Sequence, residues 1–371
     1  MASGFSFGFA GDDIEDDGQQ SPSQVNNVSA PTPSAAPSAS AFPVQGKPLL
    51  PPTHHDIGHM LSRLPSKIAY SLLDVELEEG KTIQIPRREL WDVRVQLMAE
   101  DDGSNISETE PGLGEHDVKT GIYEGGFKSW ESSVDLVKVL ASENAPTILN
   151  RDPCVLMELG CGTALPSLAL FQWAMNERKS EEKQPLTLVL ADYNPSVLYL
   201  VTLPNFLLAW ALAQRESTPA LADAFSLEDE VELLPGVVEA FKEFLASNQI
   251  TLSFLSGGWS PEFIELLYNS GLPSNPTGNV QTLVIGAETI YSPFALESFV
   301  ATLLLILERE RKERPSGHAS SIIGAKKMYF GVGGSLDDFV NRMSGLGASV
   351  ESLREESEGV RRGVVRCFLS S

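Results

Sequence analysis

Cysteine is scarce in this chain of 371 residues: there are three, Cys154, Cys161 and Cys367. Their spacing matches no metal-ligand pattern, and three thiols are too few for a disulfide framework. Cys154 and Cys367 read as core residues, and Cys161 as a small residue in a turn rather than a nucleophile. Also missing are an apolar run long enough to span a bilayer and a basic secretory amino terminus. The expectation is a soluble intracellular monomer of the cytoplasm, with the nucleus as a second compartment. His54, His55 and His59 lie close in sequence, but no cysteine or second cluster completes a metal site, so they read as solvated. Positive charge is short as well, with 27 Lys and Arg against 50 Asp and Glu, a net −23. Residues 1–60 hold six acids and one lysine, net −5, so −18 falls on residues 61–371. An acidic surface repels phosphate backbones and attracts basic proteins, although surface charge also serves solubility. Direct nucleic-acid binding is disfavoured and a basic protein partner is expected.

The 42% apolar composition is enough for one sizeable domain with a tail. Residues 1–54 read as that tail. Phe5, Phe7 and Phe9 alternate with small residues and precede an acidic run; the three rings would share one side of an extended strand and dock onto the domain or a partner. Residues 19–52, rich in Ser, Pro, Ala and Gln, cannot bury enough surface to fold and read as a linker. Residues 55–116 form a small cap, with alternating apolar stretches at 68–71, 82–85 and 91–97 read as short strands, then an acidic Gly/Ser loop at 100–115. Residues 117–371 make up the main domain.

Its organising stretch is apolar from Cys154 to Leu159, then breaks into Gly160-Cys161-Gly162-Thr163-Ala164 and a helical pattern. Continuous apolar runs are the mark of buried parallel strands. Glycines between such a strand and a helix let a ligand press on bare backbone beside the helix amides. A bland tight turn is the competing reading. The next apolar run, 186–191, ends in Asp192-Tyr193-Asn194, and an acid at that strand tip can hold ribose hydroxyls. The third glycine of the dinucleotide fingerprint is absent and no P-loop lysine follows, which favours a ligand without a pyrophosphate. Further apolar strands at 250–255 and 282–287 end at Ser256-Gly257-Gly258-Trp259 and Glu288-Thr289-Ile290-Tyr291. Strands are also expected at 229–234 and 327–332, a buried helix at 197–213, and a helix at 294–308 whose charged end, 308–314, reads as a solvated face. Segments 349–353 and 363–369 are expected to pair antiparallel and close the sheet.

Glu158-Leu159-Gly160-Cys161-Gly162 followed by Asp192-Tyr193-Asn194 resembles the first two motifs of the seven-stranded S-adenosylmethionine-dependent methyltransferases. With Gly121-Ile122-Tyr123-Glu124-Gly125-Gly126-Phe127-Lys128-Ser129-Trp130-Glu131, Glu288-Thr289-Ile290-Tyr291 and Tyr329-Phe330-Gly331-Val332-Gly333-Gly334, the chain from about Leu64 onward is similar to the eukaryotic protein-histidine methyltransferases that modify a large-subunit ribosomal protein. The resemblance implies an α/β Rossmann-like fold, helices on both faces of a sheet with six parallel strands and one reversed. It implies S-adenosylmethionine as methyl donor and a basic ribosomal protein as substrate. It carries cofactor binding onto Glu158, Gly160, Gly162, Asp192 and Asn194. Trp130 would cover the methionine side and Trp259 would pack on the adenine, each with plain packing as the competing view. Glu288 and Tyr291 match an acid-x-x-aromatic signature beside the transferred methyl and are the expected catalytic pair; a buried structural carboxylate is the alternative for Glu288. The 331–334 glycines would shape the substrate cleft. A lysine methyltransferase of the same fold and a non-catalytic adaptor for a ribosomal protein are the other readings.

Overall fold

The computed structural model describes residues 49–100, 126–145, 149, 152–177, 183–272, 279–329, 334–357 and 359–370. The Phe-rich start, most of the 19–52 segment, the acidic loop after Glu100, Gly121 to Gly125 and the 331–333 run lie outside them. The first elements are β1 Thr53–His55, α1 Ile57–Ser62, β2 Lys67–Glu76, β3 Thr82–Arg88, α2 Leu90–Glu100 and α3 Glu131–Ser142. Next come β4 Cys154–Leu159, α4 Leu165–Glu177, β5 Leu186–Asp192, α5 Pro195–Ala213, β6 Glu230–Glu232, α6 Val237–Ser247, β7 Ile250–Ser256 and α7 Pro261–Leu266. The chain finishes with β8 Gln281–Ala287, α8 Pro293–Glu313, β9 His318–Lys326, α9 Leu336–Gly345, β10 Ala348–Glu356 and β11 Arg362–Leu369.

Every residue of β4 and β5 is buried, and the alternation of side chains explains how. Cys154, Leu156, Leu186, Leu188 and Leu190 enter one apolar cluster with α3 to α6. Val155, Met157, Leu159, Val189 and Ala191 enter a second with α7, α8 and α9. Strands buried on both faces need helices on both faces, which is the doubly wound arrangement. The sheet order is β1-β7-β5-β4-β8-β9-β11-β10. The five strands from β7 to β9 are mutually parallel. β11 enters antiparallel to β9, and β10 antiparallel to β11. That is the expected set of six strands one way and one reversed.

An eighth strand was not expected. β1 pairs antiparallel with β7, Thr53 opposite Ser256, so the tail does not extend to residue 54, and the segment ahead of β1 lies on the sheet. His55 accordingly meets Ser256 Oγ at 2.8 Å rather than solvent, while His54 and His59 remain exposed. The cap is a separate sheet of order β3-β2-β6. Because β6 comes from between α5 and α6, the cap is sewn into the main domain.

Four further expectations are corrected. Residues 91–97 form helix α2, not a strand: the period-two pattern of Trp91, Val93, Val95 and Leu97 hides a helical face of Asp92, Val93 and Gln96, and Trp91 and Val95 are exposed. The strand expected at 327–332 lies earlier, as β9, because Tyr329 turns back toward Glu288. The charged end of α8 is not wholly solvated, since Glu310 is 2% exposed and accepts from Thr282 Oγ1 at 2.6 Å and Tyr268 Oη at 2.8 Å. An apolar stretch of membrane length, expected to be missing, is present: helix α5 is long and apolar enough to cross a membrane, but 83% of its most apolar window is buried inside the protein, which makes it the core helix expected at 197–213.

The cap is locked by an ion pair. Arg88 Nε donates to Asp92 Oδ2 at 2.7 Å, and Nη1 donates to the Leu200 carbonyl of α5 at 2.8 Å. Both side chains are buried. Asp92→Ala should therefore leave a buried guanidinium without its anion and cost about 3–5 kcal/mol in chemical denaturation. A loss below about 1 kcal/mol would mean that water reaches this pair.

Candidate active site

The parallel strands deliver their carboxyl ends to one edge, where β4, β5, β7 and β8, or the turns that follow them, contribute residues to the same cavity. It holds about 970 Å³ of empty space, mouth included, and Gly160, Gly162, Asp192, Trp259, Glu288 and Tyr291 are all in its wall, as are Trp130 and Glu158. Eight of the nine expected site residues are thus brought together. Asn194 is the exception: fully buried, it caps the first turn of α5 by accepting from Ser196 N at 3.0 Å.

After β4 the backbone turns left-handed at Gly160 (φ 68°) and Gly162 (φ 49°). A side chain at Gly162 would sit 2.9 Å from the Gly126 carbonyl, so the close approach of two backbone segments requires glycine there. Gly162 N–H donates to Asp192 Oδ2 at 2.8 Å, and Asn194 N–H donates to Oδ1 at 3.0 Å. These bonds aim the carboxylate at the tip of β5.

Glu158 is 1% exposed and accepts from both the N–H of Ser167, at 3.0 Å, and its hydroxyl. Burial pushes its carboxyl up to about 8, against the Ser167 bonds, which pull it down. Burial likewise pushes the Cys161 thiol well up, with Asp192 adding to the effect, so it stays protonated and is no nucleophile.

Glu288 follows β8 in the left-handed region, at φ 54°, a conformation that costs an L-residue roughly 1–2 kcal/mol. Ser132 Oγ, from α3, donates to Glu288 Oε1, and Tyr329 Oη donates to Oε2. Burial raises the Glu288 carboxyl, while the Lys326 charge first, then the two donors and Arg362, lower it. Lys326 Nζ stands 5.3 Å from the centre of the Trp130 ring and 5.7 Å from that of Tyr329. The catalytic acid expected from sequence is therefore a clamped carboxylate beside a cation held over aromatic faces. Ser132 and Tyr329 were not anticipated in this role. Tyr329 opened a quoted motif, but its return across the fold to Glu288 leaves no periodic trace.

The wall fits S-adenosylmethionine on the structure's own terms. It offers backbone at a left-handed glycine turn, an oriented acid on the next strand and the indole of Trp259. Thr289 Oγ1, also in the wall, is buried without a hydrogen-bond partner among the described residues. An orphaned hydroxyl in a cavity wall is a group that a polar ligand satisfies.

No family model matches the chain. Among curated proteins, Histidine protein methyltransferase 1 of Schizosaccharomyces pombe is 32% identical over 313 residues, covering 83% of each chain. The Saccharomyces cerevisiae protein of the same name is 34% identical over 356 residues, covering 90% of this chain and 89% of its own. A Bos taurus homolog is 28% identical over 220 residues, 59% of this chain and 48% of its own.

Glu158 makes a pH prediction. Between its ordinary 4.5 and about 8, the folded carboxyl holds a proton that the unfolded one has released. Stability must fall as pH rises through that window, at about 1.4 kcal/mol per pH unit, and level off above it. In cofactor-free protein, the wild type should lose a few kcal/mol relative to Glu158→Gln between pH 5 and 8.5, as measured by urea unfolding. Parallel curves would show Glu158 already ionised in the fold.

Proposed function

The chain belongs to the histidine protein methyltransferase 1 family and is an S-adenosylmethionine-dependent protein-histidine methyltransferase, and from that premise we propose its substrate and the division of labour in its site. The substrate is a basic large-subunit ribosomal protein, bound by a monomeric enzyme in the compartments where ribosomal proteins are made and assembled, cytoplasm and nucleus. The net −18 on residues 61–371 supports a basic partner. The observation that carries the site assignment is the shared cavity of the Gly160–Gly162 turn, Asp192 and Glu288.

S-adenosylmethionine, when bound, supplies a methyl group activated by its sulfonium. Gly160 and Gly162 would let it approach the backbone, Asp192 would accept from the ribose hydroxyls, Trp259 would take the adenine, and Trp130 would wall the methionine side. Glu158 and Asn194 act through the backbone turns they hold rather than by direct reach. A neutral imidazole, with an ordinary pKa of about 6.5, has a free lone pair at neutral pH, so no strong base is needed before attack. The chain's task is to orient the ring and choose its tautomer. Glu288 does so by accepting the N–H of the other ring nitrogen, and its charge favours the imidazolium product. Ser132 and Tyr329 keep the carboxylate in that direction, and Tyr291 lines the cleft.

Asp192→Asn should weaken S-adenosylhomocysteine binding about tenfold or more in a protein that melts normally; unchanged calorimetric affinity would remove Asp192 from the site. Glu288→Gln should lower kcat at least about tenfold with little change in cofactor affinity. Equal losses in both would make Glu288 a cofactor ligand instead. The wild-type rate should fall on the acid side as the substrate histidine and Glu288 take up protons, and Tyr329→Phe should move the Glu288 limb to higher pH because it removes a donor that holds the Glu288 carboxyl down. Mass spectrometry of unmethylated ribosomal proteins treated with the enzyme should find the methyl on histidine. Methyl-lysine as the product would overturn the assignment.

A further inference from the structure

The short segment ahead of β1 does more than lead into the sheet. Leu49 is part of the cavity wall, beside Tyr193, Gly258 and Trp259. Leu50 is pinned at both ends of its peptide: its N–H donates to Tyr193 Oη at 3.2 Å, and its carbonyl accepts from Gly258 N–H at 2.9 Å. Two glycines after β7 make the room. A Cβ on Gly258 would lie 2.6 Å from Leu49 Cβ, and one on Gly257, at φ 102°, would lie 2.5 Å from the Pro51 carbonyl. Gly257 is therefore glycine because the Pro51–Pro52 backbone lies across it, and Gly258 because the Leu49 side chain does. Pro51 and Pro52 fix their own φ angles near −65° and carry no N–H. This extended segment is consequently stiff before any ligand arrives, which lowers the entropy lost on binding. The pairing of Thr53 with Ser256 anchors its far end to the sheet.

We propose that Leu49–Pro51 is a cofactor-binding element that forms the outer wall over the nucleoside end of the S-adenosylmethionine site. The inference rests on the assignment of this cavity to the cofactor. Its contacts point to that end because the residues that hold the segment, Tyr193 and Gly258, adjoin Asp192 and Trp259 in sequence and share the cavity wall with them. Leu49 contributes an apolar side chain where a purine or ribose carbon would otherwise meet water. The amino-terminal boundary of the functional enzyme then lies ahead of Leu49, not at the start of the sheet.

The test compares binding of S-adenosylhomocysteine and of 5′-methylthioadenosine, which keeps the nucleoside but lacks the amino-acid end. Deleting residues 1–47 should leave both affinities unchanged, and deleting 1–52 should weaken both. Leu49→Ala, which leaves the backbone in place, should weaken both by a similar factor of roughly five to ten, with the melting temperature of the ligand-free protein unchanged. The point variant keeps the test valid if the longer deletion does not fold. Wild-type affinity in Leu49→Ala, or a loss for S-adenosylhomocysteine alone, would overturn the proposal. Asp192→Asn in the full chain separates the two levels: if it weakens binding while Leu49→Ala does not, only the segment's role falls. If neither changes binding, the cavity is not the cofactor site.

Discussion

One hydrogen bond ties the site to the sheet, from the Gly162 N–H at the end of β4 to the carboxylate of Asp192 at the end of β5. The Gly162 carbonyl accepts from Thr202 Oγ1 of α5 at 2.7 Å, and Gly162 lies against the Gly126 carbonyl. A backbone group in a buried, left-handed turn must find partners within the protein, and here each partner belongs to a different element. Meeting that requirement brings β4, β5, α5 and the segment before α3 into register around one cavity. Any side chain at position 162 would push the Gly126 backbone away and break the arrangement.

The second constraint is the cost of burying acids in a chain that already has an excess of them. A buried acid is tolerated only where donors or cations meet it or where it keeps its proton. Glu158 is met by Ser167, Glu288 by Ser132 and Tyr329 with Lys326 nearby, and Glu310 by Thr282, Tyr268 and Arg314. The first two line the cavity and the third does not. Glu310 lies near the opposite end of β8, bonded to Thr282, and serves packing. The same local chemistry thus puts a buried acid into the packing or into the cavity wall, according to which end of the parallel sheet it occupies. That follows from the general geometry of open α/β sheets, where ligands sit beyond the carboxyl ends of the strands.

The amino-terminal boundary illustrates how a short segment can change its meaning on folding. Leu49-Leu50-Pro51-Pro52 continues a Pro-rich, low-complexity composition, and nothing in its own sequence separates it from the linker. Its partners, Tyr193, Gly257 and Gly258, are more than 140 residues away. A similar distance hides the Arg88–Leu200 bond that fastens the cap to α5.

What the amino-acid sequence by itself determined is the main sheet and the identity of its edge residues. Apolar runs buried on both faces are visible at β4, β5, β7 and β8, and each ends in a motif whose glycine, acid or tryptophan announces a ligand. Those signals are local, because a strand's burial and a turn's glycine depend on residues within one element. Tertiary structure alone decided what those residues touch: that Asn194 caps a helix behind the wall, that Ser132 and Tyr329 clamp Glu288, that α2 is a helix despite its alternating pattern, and that β1 adds an eighth strand with Leu49 beside the cavity. Apart from the Asn194 cap, which is a local contact to Ser196, each of these depends on a contact between segments remote in sequence. Such contacts are chosen by packing and hydrogen-bond satisfaction across the whole fold, and periodicity along a single segment carries no record of them.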